Sequence, residues 1–209
     1  MGPLSGNEVS GNENKPDDAK LVERARAGDQ AAFRELYDLY HKQLYRLAGS
    51  MAGPVEDVHD IVQEAFVRAF RSLDKFKGQS SFYTWLYRIA INVTTDYRRK
   101  QARRRQQFTD RPLEDIDRGA SQMAAPERDN PEADLYRIEI ESLVEKALET
   151  LSEDHRKVVV LREINGLSYQ EIADITETTI GTVMSRLHYG RKKLAETLKK
   201  WDAFEPDDA

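Results

Sequence analysis

Apolar residues recur by threes and fours along most of this chain, and no stretch alternates with the period of two that a half-buried strand requires. The pattern predicts an all-α fold. Asp17 or Asp18 can cap a first helix that runs to about Ala27 and stops at Gly28. Asp29 then caps a second helix. Its stripe is Phe33, Leu36, Tyr37, Tyr40, Leu44, Tyr45 and Leu47, and Gly53-Pro54 ends it. A third helix, over about Val55–Leu73, gathers Val58, Ile61, Val62, Ala65, Phe66, Ala69 and Phe70 on one side. Asp57, Asp60, Gln63, Glu64, Arg68 and Arg71 occupy the other. Residues 75–80 read as a loop, with Gly78 and Ser80 as punctuation, and Ser81 can cap a fourth helix that reaches the basic run near Arg105.

The periodicity then lapses. Residues 106–130 carry Pro112, Gly119, Pro126 and many acids, which predicts a flexible acidic linker. Pro131 can open the next helix from its first turn, followed by Leu135, Ile138, Leu143, Val144, Ala147, Leu148 and Leu151 as a buried stripe. Ser152 caps a helix holding Val158, Val159, Leu161 and Ile164, and Asn165-Gly166 stops it. Ser168 and Glu171 make a capping box, and the last helix runs from about Thr179 to Lys200. The expected organisation is a disordered tail (1–16), a helical domain (17–105), the linker (106–130), a second helical domain (131–200) and a short tail (201–209).

Composition narrows the picture. Of 209 residues, 39% are hydrophobic and 33% charged, which suits small helical cores with a large wet surface. No apolar run approaches the roughly 20 residues of a membrane span, and the polar N-terminus lacks the core of a signal peptide. A cytoplasmic location without membrane insertion is therefore expected. The absence of cysteine excludes disulfides, thiolate catalysis and cysteine zinc sites. His41, His59, His155 and His188 are scattered singly, so no metal or cofactor site is expected. No nucleophile–base pair, glycine-rich phosphate loop or two-carboxylate metal site stands out, which argues against an enzyme and against a small-molecule substrate.

The net charge of −5 argues against a nucleic-acid partner only if it is taken whole. Arg98, Arg99, Lys100, Arg103, Arg104 and Arg105 lie within one short run. Arg186, His188, Arg191, Lys192 and Lys193 form a second cluster, and binding follows the local field. Residues 168–187, SYQEIADITETTIGTVMSRL, read as two short helices joined by a tight turn. That is the layout of a helix-turn-helix, which sets its second helix in the major groove of duplex DNA. Ile172, Ala173, Ile180, Val183 and Leu187 have the spacing of internal packing residues. Thr178, Thr179, Thr182, Ser185 and Arg186 are the candidates for groove and phosphate contact, with Arg191 and Lys192 for phosphate. Upstream, SSFYTWLYRIAINVTTDYRRK at 80–100 interleaves aromatic and basic residues, as a single-strand surface does when bases stack on rings and cations meet phosphates. Phe82, Trp85, Leu86 and Ile89 share one helical face and read as core, so Tyr83 and Tyr87 are the better candidates for DNA.

These strings resemble the extracytoplasmic-function sigma factors of the sigma-70 family, of the sigma-E/sigma-W-like kind. They are DIVQEAFVRAFRSLDKF at 60–76, the aromatic-basic stretch at 80–100, NPEADL at 130–135, LREINGLSYQEIA at 161–173 and GTVMSRLHYGRKKL at 181–194, in order and at this spacing. The resemblance implies a subunit that recruits RNA polymerase core and confers promoter recognition on it, serving a stress or envelope response. It implies that Asp60, Gln63 and Glu64 contact polymerase core. It implies that the 80–100 segment reads the melted minus-ten strand, with a flipped base held at 76–82 by Lys77, Ser80 and Phe82. Asn92 then discriminates a base, while Arg98, Arg99, Lys100 and Arg103 hold phosphate. It assigns the last helix to the duplex minus-35 element, the acidic linker to a basic polymerase channel, and an anti-sigma factor as a further partner. The chain departs from the common pattern at Glu177, often Gly, at Thr179, often Pro, and at Met184, often basic, where a thymine methyl could be met instead. The alternative is a stand-alone helix-turn-helix regulator that binds duplex DNA without polymerase.

Overall fold

A computed structural model of the chain describes residues 18–52, 55–108, 140 and 142–201, and every regular element among them is helical. The expected tail at 1–16, most of the expected linker and the stripe residues Leu135 and Ile138 lie outside the described residues. The helices are α1 (Ala19–Arg26), α2 (Gln30–Ala52), α3 (Val55–Ser72), α4 (Phe82–Phe108), α5 (142–149), α6 (Glu153–Val159), α7 (Tyr169–Thr176) and α8 (Ile180–Lys200). A single 3-10 turn, Leu73–Lys75, follows α3.

Local chemistry sets the helix starts where the sequence places them. Asp29 accepts the backbone N–H groups of Ala31 and Ala32 at 2.9 and 3.1 Å, and its other oxygen holds Arg24. Ser81 accepts from Thr84 N–H at 3.1 Å, and Ser152 begins α6. Ser168 and Glu171 form the reciprocal capping box of α7. Gly28 and Gly166 take positive φ where helices end. Asp18 begins α1 without a side-chain cap; its carboxylate instead accepts a hydrogen bond from the buried Tyr40 hydroxyl.

Helices α1–α4 enclose one set of buried residues around Leu36, Tyr40, Leu44, Leu47, Ile61 and Leu86. The second half, α5–α8, packs around Val160, Leu161, Ile172, Val183 and Leu187. Gly190 lets α8 approach α6: a Cβ there would stand 2.7 Å from Val159 Cγ2. Arg156 is 4% exposed, and its guanidinium donates to the Leu148 carbonyl at 2.7 Å, closing the C-terminal end of α5. After α6 the backbone widens into a π-helical segment, Val160–Ile164, where Asn165 N–H reaches the Val160 carbonyl at 3.1 Å. The halves touch directly: α2 meets the π segment and α4 meets α7.

Candidate nucleic-acid interface

The candidate residues begin at the loop before α4. Phe76, Phe82 and Trp85 form a ring cluster, with centroids 5.2–5.9 Å apart, that supports this loop from beneath. Phe76 and Phe82 are buried, Lys77 and Gln79 are exposed, and Ser80 is half-buried. The loop therefore offers a cation and small polar groups over an apolar floor. Of the flipped-base candidates, Lys77 and Ser80 are reachable from solvent, while the Phe82 ring belongs to the floor.

Along α4, Arg88, Asn92, Arg99 and Arg103 fall on one stripe at spacings of four and seven. Asn92, Arg99, Lys100 and Arg103 are exposed, and Arg98 is half-buried. Tyr83 and Tyr87 lie elsewhere: they are 6% and 1% exposed and pack on each other at 4.2 Å between ring centroids, with Tyr40 beside Tyr83. Burial drives both phenols above the ordinary tyrosine range, so they remain protonated. An α4 side chain that the sequence reading passed over is Arg88. Its signal was present, a lone cation one helical turn before Asn92 on the stripe shared with Arg99.

In the second half, α7 and α8 are joined by a turn in which Glu177 is left-handed, with φ 53° and ψ 44°. This is the helix-turn-helix. Thr179 caps α8, accepting Thr182 N–H at 3.2 Å, and its hydroxyl meets that of Thr182 at 2.9 Å. Thr178 shares a hydrogen bond with Thr176 at 3.0 Å. Arg186 pairs with Asp154, and Arg191 pairs with Glu163 at 2.6 Å. Several of the candidates are thus engaged within the half itself. The outward edge of α8 is instead Gly181, Met184, Ser185, His188 and Lys192, all exposed at helical spacing. Met184, 53% exposed, and His188 join Ser185 and Lys192 there. Met184, which the sequence reading set against a thymine methyl, lies at the centre of that edge.

On α3, Asp60 and Gln63 are exposed, and Glu64 holds Arg68 at 2.7 Å; Arg68 also reaches Asp96 of α4 at 3.5 Å. Beside Gln63 a groove of about 580 Å³ runs between α2 and α3, floored by Phe33, Tyr37, Phe66 and Phe70, with Arg71 on its edge. Phe70 is 50% exposed, an uncommon amount for a phenylalanine in a polar rim. Among the described residues no group of histidine and acidic side chains could hold a metal ion, and no helix is long and apolar enough to cross a membrane.

Comparison with known proteins follows the same division. Sigma-70 region 2 matches residues 36–104, and Sigma-70, region 4 matches residues 142–194. The ECF RNA polymerase sigma-E factor of Escherichia coli (strain K12) is 42% identical over 182 residues, covering 85% of this chain and 92% of that protein. The sigma-E factor of Haemophilus influenzae is 37% identical over 186 residues, covering 87% and 95%. Among solved structures, CnrH in complex with the cytosolic domain of CnrY superposes with a TM-score of 0.65 at 28% identity, covering 88% of this chain and 97% of that one. The sigma factor RpoE in complex with the anti-sigma factor NepR from Bartonella quintana gives 0.59 at 28% identity, covering 80% and 96%.

Proposed function

The chain belongs to the extracytoplasmic-function sigma factors of the sigma-70 family, and we propose a division of promoter recognition between its two halves. It is a DNA-binding transcription-initiation factor, and phosphodiester synthesis belongs to polymerase core. The first half, 17–105, reads the melted minus-ten strand. The second, 131–200, grips the minus-35 duplex, and the segment 106–130 links them through a basic channel of the polymerase.

The observation that carries this reading is the α4 stripe. Asn92 stands exposed on the face that carries Arg88, Asp96, Arg99 and Arg103, Arg88 and Arg99 being paired with Glu177 and Glu153, and the Lys77–Ser80 loop lies at the start of the same helix. Asparagine presents a donor and an acceptor to a base edge, whereas Arg99, Lys100 and Arg103 offer charge to the backbone. On α8, Ser185 and Met184 face outward for base edges, and Lys192 for phosphate. Arg186 and Arg191 reach phosphate by exchanging Asp154 and Glu163 for it. Polymerase docks on α3: Asp60, Gln63 and Glu64 steer the encounter and fix the register, and the groove around Phe70 supplies apolar contact. Two structural relatives are complexes, RpoE with an anti-sigma factor and CnrH with the cytosolic domain of CnrY, which supports an anti-sigma partner for this chain as well. The protein works in the cytoplasm, where its polymerase is.

The test uses the protein bound to core polymerase on promoter duplexes randomised at the minus-ten element. Asn92→Ala should flatten preference at one position by about tenfold. Arg99→Ala should weaken every sequence alike and lower the salt slope by about one. Unchanged preference in the first variant, or sequence-dependent loss in the second, contradicts these roles.

A further inference from the structure

The α4 face that carries Asn92 also carries an acid. Arg88, Asn92, Asp96, Arg99 and Arg103 follow one another at spacings of three and four, and Asp96 is the sole carboxylate in Phe82–Phe108. Its side chain is 60% exposed, one turn beyond the exposed Asn92. Among the described residues its ion-pair partner is Arg68 of α3, whose Nη1 stands 3.5 Å from Asp96 Oδ2 while its Nε donates to Glu64 at 2.7 Å. The guanidinium is thus committed mainly to Glu64. Asp96 keeps most of its acceptor capacity, since an ionised carboxylate has room for about four hydrogen bonds.

Resting on the reading of α4 as the strand-binding helix, we propose that Asp96 is a second base-reading residue, which accepts the exocyclic amino group of a base near the one met by Asn92 and rejects thymine. A carboxylate on a face that receives phosphates costs affinity through like-charge repulsion unless it meets a donor. In a DNA strand the phosphates and deoxyriboses supply acceptors, so the donors within reach of Asp96 belong to the bases. Adenine, cytosine and guanine each carry an exocyclic amino group, and thymine carries none. Thymine would instead turn a carbonyl oxygen toward the carboxylate with no proton between them. Asn92 has both a donor and an acceptor, whereas Asp96 has acceptors alone, so the two side chains select on different grounds. One turn separates them by about 6 Å along the helix axis, close to two stacked nucleotides of about 3.4 Å each, so their bases lie within two positions of one another. Arg68 is a positioning residue here. Its charge keeps the carboxylate ionised when a strand excludes water from it, and its bond to Glu64 holds the guanidinium in place.

The test uses the protein bound to core polymerase on a promoter library randomised through and just upstream of the minus-ten element, with bound and unbound pools sequenced. The parent should disfavour thymine by about tenfold at a position within two nucleotides of the one that Asn92→Ala flattens. Asp96→Asn keeps the shape and adds a donor, so it should bring thymine there to within about twofold of the other bases and leave the remaining positions as they were. Asp96→Ala should flatten the same position and bind the poorest sequences more tightly, because a like charge is gone. Arg68→Gln should weaken the rejection of thymine by about threefold, while Arg68→Lys, which keeps the cation, should retain it. Far-ultraviolet circular dichroism confirms that each variant is folded. A parent that discriminates elsewhere but admits thymine throughout this neighbourhood, thymine still rejected by Asp96→Asn, or a uniform weakening of all sequences in Asp96→Ala overturns the proposal. Equal rejection in the two Arg68 variants overturns the positioning role. A parent with no base preference anywhere in the element removes α4 as a strand reader, a different failure from a rejection of thymine that persists without Asp96.

Discussion

At Glu177 the conflict between residue type and backbone is plainest. A left-handed residue with a side chain costs on the order of 1 kcal/mol relative to glycine. The chain retains glutamate there, and its carboxylate is the one that meets Arg88. Glu177→Gly and Glu177→Ala both delete that carboxylate, but only glycine relieves the backbone. Thermal or urea unfolding should find the glycine variant more stable than the alanine variant by about 1 kcal/mol; equal stability means that the turn carries no strain. Sequence made this residue legible, because the resemblance to the family put a side chain where its common pattern often has glycine. It could not show Arg88 as its partner, since nothing local links positions so far apart. For the same reason Tyr83 and Tyr87 read as surface candidates. Interleaving with polar residues is the same whether a ring meets solvent or the other half of the molecule.

Among the elements, capping chemistry was the most transparent signal. Asp29, Ser81, Ser152 and Ser168 each begin a helix because each offers an oxygen to an orphan N–H, a rule local to a few residues. The π-helical widening at Val160–Ile164 was not legible, since one extra residue in a turn leaves no residue-type signature. Arg156 was hidden for a similar reason: a buried arginine looks like any surface arginine until the α5 carbonyls it satisfies are in place. Gly190 read as an ordinary helix residue, yet it is the contact between α8 and α6. Because Val159 Cγ2 would lie 2.7 Å from an added Cβ, Gly190→Ala should destabilise the protein by about 1–3 kcal/mol despite alanine's better helix propensity. A thermal shift to higher temperature in that variant would show that α8 tilts away at no cost.

For the whole molecule, the sequence displayed both halves and their order, while their contact emerged only from the fold. The bare net charge hid the design: acids of one half neutralise arginines of the other, and cations that look free in the sequence are paired. The central claim is that this chain directs polymerase to promoters by joining both of its surfaces to one site. The most direct measurement is transcription of the source genome by purified core polymerase with and without the protein, with start sites mapped. The account predicts new starts that appear only with the protein and share two upstream elements at fixed separation, one melted and one duplex. A protein that leaves the pattern of starts as core polymerase alone makes it would contradict the account.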